Sequence, residues 1–321
     1  MTISAEQAQW YNETFAQLAD HVEQAILGKR HVIELVLATA LSGGHVLLED
    51  VPGTGKTALA RTLAQTIEGT ASRIQFTPDL LPGDVTGVTV FDQKKGTFEF
   101  HAGPIFANVV LADEINRASP KTQSALLEVM EEGNVTVDGV TRPVGRPFLV
   151  IATQNPVEQA GTYRLPEAQL DRFMVKTSIG YPDDAATMRI LQGASNPSTE
   201  LAGIVTPDTL VTMIELARTV YVNPLISDYI MRIINATRQA SEARLGVSVR
   251  GGIALSRLVM TWAAAQGRTF VTPDDVRDLA VPALAHRIIL EPEAEFDGVT
   301  ALDVVGKVLL DVKPPAENGA A

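Results

Sequence analysis

The sequence predicts an α/β domain built on a parallel sheet and carrying two β-hairpins, residues 1–183, then an all-α domain, 184–312, and a disordered tail, 313–321. Three observations predict this. Short, nearly unbroken apolar runs at 46–48, 107–112 and 148–152 end in polar residues, the pattern of parallel strands buried on both faces. Two pairs of short alternating segments flank turn residues, which marks hairpins. From Pro182 onward only helical periodicity is left.

At 321 residues and 45% hydrophobic content the chain can bury a substantial core and a smaller second one. It has no cysteine, which excludes disulfides, thiolate metal sites and cysteine nucleophiles. The first twenty residues lack a basic stretch followed by an apolar run, and no segment is apolar for the ~18 residues a membrane span needs. The cytoplasm is the expected compartment. A net charge of −12 opposes nucleic acid, whose binders present a basic field.

Taken in order, residues 5–26 form an amphipathic helix with Trp10, Phe15, Leu18, Val22 and Ile26 on one side, expected to pack on the α/β domain. A turn at Leu27 and Gly28 leads to a second helix, 31–41. That turn either edges an adenine ring or is a plain helix-to-helix connection. Strands follow at 46–48 and 73–76, then an irregular stretch at 77–84. One hairpin pairs 87–91 with 97–100, with Lys94 and Lys95 at its tip; the other pairs 134–137 with 140–142 across Asp138 and Gly139. Buried strands run through 107–114, 148–152 and 174–179. Helices are expected at 184–191, 207–219, 225–243, 251–265, 273–285 and 301–310. Thr206-Pro207 and Thr272-Pro273 supply cap and first-turn proline for two of them.

The stretch HVLLEDVPGTGKT at 45–57 reads as a strand, a Pro/Gly turn and a helix start, the form of a phosphate-binding loop. Pro52, Gly53, Thr54, Gly55, Lys56, Thr57 and Ala58 would cradle the phosphates of ATP. Lys56 would reach the β- and γ-phosphates, and Thr57 would place its hydroxyl on Mg²⁺. The motif's first glycine is replaced by Asp50, which is expected to cap the strand end. The apolar strand ending Asp113-Glu114 completes a hydrolytic arrangement: Asp113 holds Mg²⁺ and Glu114 polarises the attacking water. Asn155, after another buried strand, is suited to orient that water, or is simply a turn residue before Pro156. Arg172 and Arg250 could each supply charge to the transferred phosphoryl group, or form surface salt bridges.

Taken together these residues resemble the MoxR family of AAA+ ATPases. The resemblance rests on HVLLEDVPGTGKT (45–57), RIQFTPDLLPGDVTG (73–87), FHAGPIFANVVLADEINRA (100–118), KTQSALLEVMEE (121–132), ATQNP (152–156) and LPEAQLDRF (165–173), with VTPDDV (271–276) and ALAHRI (283–288) similar as well. It spans about residues 24–290. It implies a P-loop αβα sandwich of AAA+ type with two hairpin insertions and a helical lid, and a homo-oligomeric ring, hexameric in such proteins, whose sites lie between subunits. By motif position Asn155 resembles the first sensor, Arg172 the arginine finger offered to the adjacent subunit, and Arg250 the lid's second sensor, serving its own or a neighbour's nucleotide. Arg164 and Val249 stand where the family pattern has proline.

The expected function is a Mg²⁺-dependent ATPase that remodels or matures a client protein, alongside a partner carrying a von Willebrand factor A domain as the resemblance implies. Two alternatives stand beside it. One is a ring-forming nucleic-acid motor, which the charge opposes; the other is a nucleotide-gated scaffold with little turnover, which the set of Asp113, Glu114, Asn155 and Arg172 opposes.

Overall fold

The computed structural model describes residues 2–51, 53–156, 162–163, 165–193 and 202–315. The α/β part runs α1 (Ala5–Glu23), α2 (Arg30–Leu41), β1 (Val46–Glu49), α3 (Lys56–Thr66), β2 (Ala71–Gln75), α4 (Pro82–Thr86), β3 (Gly87–Asp92), β4 (Thr97–Ala102) and β5 (Val109–Asp113). It continues through α5 (Pro120–Glu132), β6 (Asn134–Val137), β7 (Val140–Pro143), β8 (Leu149–Gln154), α6 (Glu167–Leu170) and β9 (Val175–Thr177). The helical part holds α7 (Asp184–Leu191), α8 (Pro207–Ala217), α9 (Pro224–Gln239), β10 (Ala243–Leu245), α10 (Val249–Ala265), α11 (Pro273–Leu284), β11 (Ile289–Leu290), α12 (Pro292–Phe296) and α13 (Ala301–Asp311).

Five strands form one parallel sheet in the order β2-β5-β8-β1-β9. Because successive side chains alternate between faces, each central strand feeds two cores. Val46 and Leu48, Val109 and Leu111, and Leu149 and Ile151 join one; Leu47, Val110, Ala112, Val150 and Ala152 join the other. This double burial is the physical origin of the unbroken apolar runs. The strands' carboxyl ends, where Asp113 and Thr153 sit, all open on one edge.

The first core does not stop at the sheet. It continues through α1 and α2 into Leu255, Leu258 and Trp262 of α10. The amphipathic first helix therefore packs against α2 and α3 as expected, and against α10 as well. Its buried set, Ala8, Tyr11, Phe15, Leu18, Ala19 and Val22, is wide enough to serve two neighbours. Trp10 is not among them: at 39% exposure it lies outside the apolar stripe.

Both hairpins form as two-stranded antiparallel sheets. They are joined where the Arg142 guanidinium sits 3.9 Å from the Phe100 ring centroid, and Phe100 meets Phe106 edge-on. Such a cation–π contact is worth about 0.5–2 kcal/mol.

The helical part is not purely helical. The expected helix over 225–243 ends at Gln239, where Ala240 turns extended, and Ala243–Leu245 pairs with Ile289–Leu290. A ladder this short carries no periodicity, so composition alone cannot announce it. Capping explains most helix starts: Ser4, Thr206, Asn223, Ser248, Thr272 and Thr300 each accept a hydrogen bond from a first-turn amide.

Candidate functional site

The chain leaves β1 into the glycine loop, where Gly53 and Gly55 hold φ of +85° and +91°. A side chain would be strained at both, so glycine there is a steric requirement. Thr54 is buried, and its hydroxyl lies 3.4 Å from the Val51 carbonyl. Lys56 Nζ donates to the carbonyls of Val51 (2.9 Å) and Asp50 (3.3 Å), which holds its charge at the loop. Thr57 faces solvent in the first turn of α3, and its hydroxyl has no side-chain hydrogen bond among the described residues. Pro52 lies outside the described residues.

Asp50 does something other than cap its own strand. Its buried carboxylate accepts hydrogen bonds from the amides of Ile179 (2.6 Å) and Gly180 (2.9 Å), beyond the end of neighbouring β9. The loop is thereby tied to the segment that leads into the helical domain. Parallel pairing of β1 with β9 brings the two ends side by side.

Across the cleft, Thr153 organises the acidic pair. Its hydroxyl donates to Asp113 Oδ1 (2.6 Å) and accepts from the Glu114 amide (2.9 Å). Arg73 pairs with Asp113 Oδ2 at 2.6 Å. Glu114 sits in the left-handed region, φ +56°, which costs a residue with a Cβ about 1–2 kcal/mol. Its carboxylate receives Gln75 Nε2 (3.0 Å) and Arg117 Nη1 (2.8 Å). These contacts fix the carboxylate in the lining of a cleft of about 460 Å³.

That cleft brings together Gly53, Thr54, Gly55, Lys56, Thr57 and Ala58 with Asp113, Glu114 and Asn155. Leu27 and Gly28 do not line it. Leu27 is buried, and Gly28, at φ +71°, faces Ala186 and Asp183 at the start of α7. Neighbouring Ile26 is what reaches the loop, 3.6 Å from the Cβ position of Gly55.

Thr57 and Asp113 offer a hydroxyl and a carboxylate, an all-oxygen donor set that suits Mg²⁺, an ion that keeps waters and draws further ligands from phosphates. Sequence reasoning missed Arg73, Gln75 and Thr153. Arg73 and Gln75 alternate with Ile74 and Phe76, and that polar face of a sheet strand beside Asp113 was the available signal.

Arg172 and Arg250 lie elsewhere, in a second cleft of about 400 Å³. Both pair with one carboxylate: Glu131 Oε2 lies 3.2 Å from Arg172 Nη2, and Oε1 meets Arg250. The segment around Arg172 is clamped from the helical side. Ser248 Oγ donates to Asp171 Oδ2 (2.9 Å), Arg287 pairs with Asp171 Oδ1 (2.9 Å), and Arg287 Nη2 donates to the Phe173 carbonyl (2.7 Å). Burial pushes the Arg287 guanidinium down to about 10, with Asp171 opposing the shift. His286 Nε2 also meets the Phe173 carbonyl at 3.0 Å, and burial, helped by adjacent Arg287, pushes that imidazole down to about 3.

His45 underlies this second cleft. Its Nδ1 accepts the Val150 amide (3.0 Å), so Nε2 carries the proton and donates to the Met130 carbonyl (3.0 Å). Burial lowers its pKa to about 4.

Residues 45–175 match the family described as ATPase family associated with various cellular activities (AAA), and residues 235–308 match the AAA lid domain. The chain is 48% identical to the uncharacterized protein YeaC of Bacillus subtilis over 94% of this chain and 95% of that one. It is 39% identical to Chaperone MoxR1 of Mycobacterium tuberculosis over 92% of this chain and 81% of the relative. A solved structure from Cytophaga hutchinsonii, of a protein assigned as an ATPase, superposes with a TM-score of 0.90 at 38% identity, covering 97% of this chain and 98% of the other.

Proposed function

The chain belongs to the MoxR family of AAA+ ATPases, and from that premise we propose that it hydrolyses ATP with Mg²⁺ at sites shared between neighbouring copies in a ring, hexameric as the resemblance implies. Turnover then remodels or matures a client protein, in the cytoplasm and with a partner carrying a von Willebrand factor A domain. The relative named a chaperone supports the remodelling role. No helix among the described residues is long and apolar enough to cross a membrane.

One observation carries the shared-site reading: Arg172 and Arg250 converge on a cleft separate from the one lined by the phosphate loop and Glu114. Within one chain the γ-phosphate would meet Lys56 but neither of these arginines. A second copy can supply them.

In this reading the loop amides and Lys56 hold the phosphates, and the dipole of α3 favours the same charge. Leu27 and Gly28 stand near the adenine edge through the turn that carries Ile26. Thr57 and Asp113 would hold Mg²⁺, which when bound screens phosphate charge. Glu114 accepts a proton from the attacking water, and Asn155 orients that water. Arg172 of the adjoining copy stabilises charge on the transferred group, a contribution of about 10³–10⁵ in rate where such arginines act in trans.

The test is ATP hydrolysis as a function of protein concentration, with mass measured by light scattering with and without ATP. Specific activity should climb as a ring-sized species forms. Full activity from a monomer would overturn the shared site and leave Arg172 without a role in it.

A further inference from the structure

The second cleft holds more positive charge than its paired arginines account for. Arg172, Arg250, Arg257 and Arg287 line it, against the carboxylates of Glu131 and Asp171. Four guanidiniums facing two carboxylates leave it positive in a chain whose net charge is −12. Two donors there stay open. Arg172 Nε is buried without a hydrogen-bond partner, and Arg257 makes no ion pair or side-chain hydrogen bond among the described residues.

Arg257 lies seven residues after Arg250 on α10, which puts it on the same face two turns along, about 10 Å away. Between them Ile253 also lines the cleft at 50% exposure. A strip of arginine, isoleucine and arginine on a helix whose other face is buried fits a surface that a second molecule covers. Arginine forks suit phosphate oxygens, and a pair two turns apart can grip an extended polyphosphate at two points.

We propose that Arg257 is a third phosphate-binding arginine, contacting the polyphosphate of ATP held by the neighbouring copy. This rests on the shared-site reading above. Arg172 and Arg250 trade Glu131 for phosphate, whereas Arg257 has no carboxylate partner among the described residues to give up.

The experiment compares Arg257→Ala, Arg257→Lys and Arg172→Ala, each alone and mixed with Glu114→Gln, measuring ATP affinity and turnover in assembled protein. Arg257→Ala should weaken ATP affinity about tenfold, the worth of one charge-assisted contact, and lower turnover at subsaturating ATP to match. The lysine variant should recover part of that loss. Mixing with Glu114→Gln subunits, whose arginine cleft is intact, should raise turnover above the sum of the two separate proteins, as it should for Arg172→Ala. Wild-type turnover of Arg257→Ala beside a complemented Arg172→Ala overturns the proposal and leaves the shared site standing. A loss that mixing never restores, while Arg172→Ala is restored, assigns Arg257 to its own chain and also overturns it. Failure of Arg172→Ala itself to complement overturns the shared-site reading, and this proposal with it.

Discussion

The phosphate-loop cleft takes its residues from the loop after β1, the helix that follows it and the ends of β2, β5 and β8, whereas the arginine cleft draws on α5, the segment before β9 and α10 of the helical part. The first is therefore set by strand register: Gln75 lies opposite Asp113, and Ala112 opposite Ala152. The second spans a joint, so its shape depends on how the helical part sits. Residues of the sheet cleft should act on chemistry, and residues of the arginine cleft on the joint and on the neighbour.

Glu114 lines one cleft and Glu131 the other, and exchanging both for amides sets the two regions against each other directly. Glu114→Gln removes the proposed proton acceptor while its amide keeps the contacts with Gln75 and Arg117 within reach. Turnover should fall by about 10²–10⁴ with ATP affinity little changed. Glu131→Gln should lower turnover less than about tenfold, because its amide oxygen still accepts from one arginine and no bond-making group is lost. Steady-state kinetics with nucleotide-binding titrations reads both, and equal losses would erase the distinction.

The two regions also differ in how far the sequence announces them. The phosphate loop is contiguous, so the spacing of Gly53, Gly55, Lys56 and Thr57 locates it before any fold is known. The Asp113-Glu114 pair stands out because it ends a buried apolar run in a chain that also carries a phosphate loop. The arginine cleft joins residues 43–45, 130–131, 171–174, 250–257 and 287, and no local pattern reports a contact across more than a hundred residues. Arg172 and Arg250 drew notice as guanidiniums that could meet a phosphoryl group and then by motif position, but their shared partner Glu131 was invisible. The supports of the sheet cleft were hidden for a different reason: Thr153 and Gln75 look like ordinary strand-end residues until register sets them beside Asp113 and Glu114. Asp50 shows the same limit, since the amides it binds lie beyond the end of β9, far along the chain.

A second prediction addresses the joint. Arg287, with only 2% of its side chain exposed, pairs with Asp171, exposed by 19%. Removing one partner of a buried pair leaves the other's charge uncompensated, at about 3–5 kcal/mol, whereas replacing both by apolar residues costs far less. Arg287→Leu should therefore lower the urea midpoint strongly, and Arg287→Leu with Asp171→Leu should recover most of the loss. Because Asp171 precedes Arg172, the single variant should also lose turnover while its own phosphate loop still binds ATP. If the single and double variants unfold alike, the pair is not what fixes this segment.

The smallest expected effect probes the floor of the arginine cleft. His45 immediately precedes the strand that leads to the phosphate loop, and its ring bridges Met130 and Val150. Its folded pKa, about 4, lies below the ordinary 6.5, so the unfolded chain binds the proton more readily between those values. The stability owed to neutral His45 is whole above pH 6.5 and is lost as pH falls toward 4, at most about 3 kcal/mol over that window. Protonation would deprive the Val150 amide of its acceptor and add a positive charge beneath four arginines. The difference in urea midpoint between wild type and His45→Gln should therefore shrink steadily from pH 7 to pH 4.5, because only the histidine titrates. A gap that stays constant across that range would mean the floor does not sense pH, leaving buried His286 and the carboxylates to account for any acid lability.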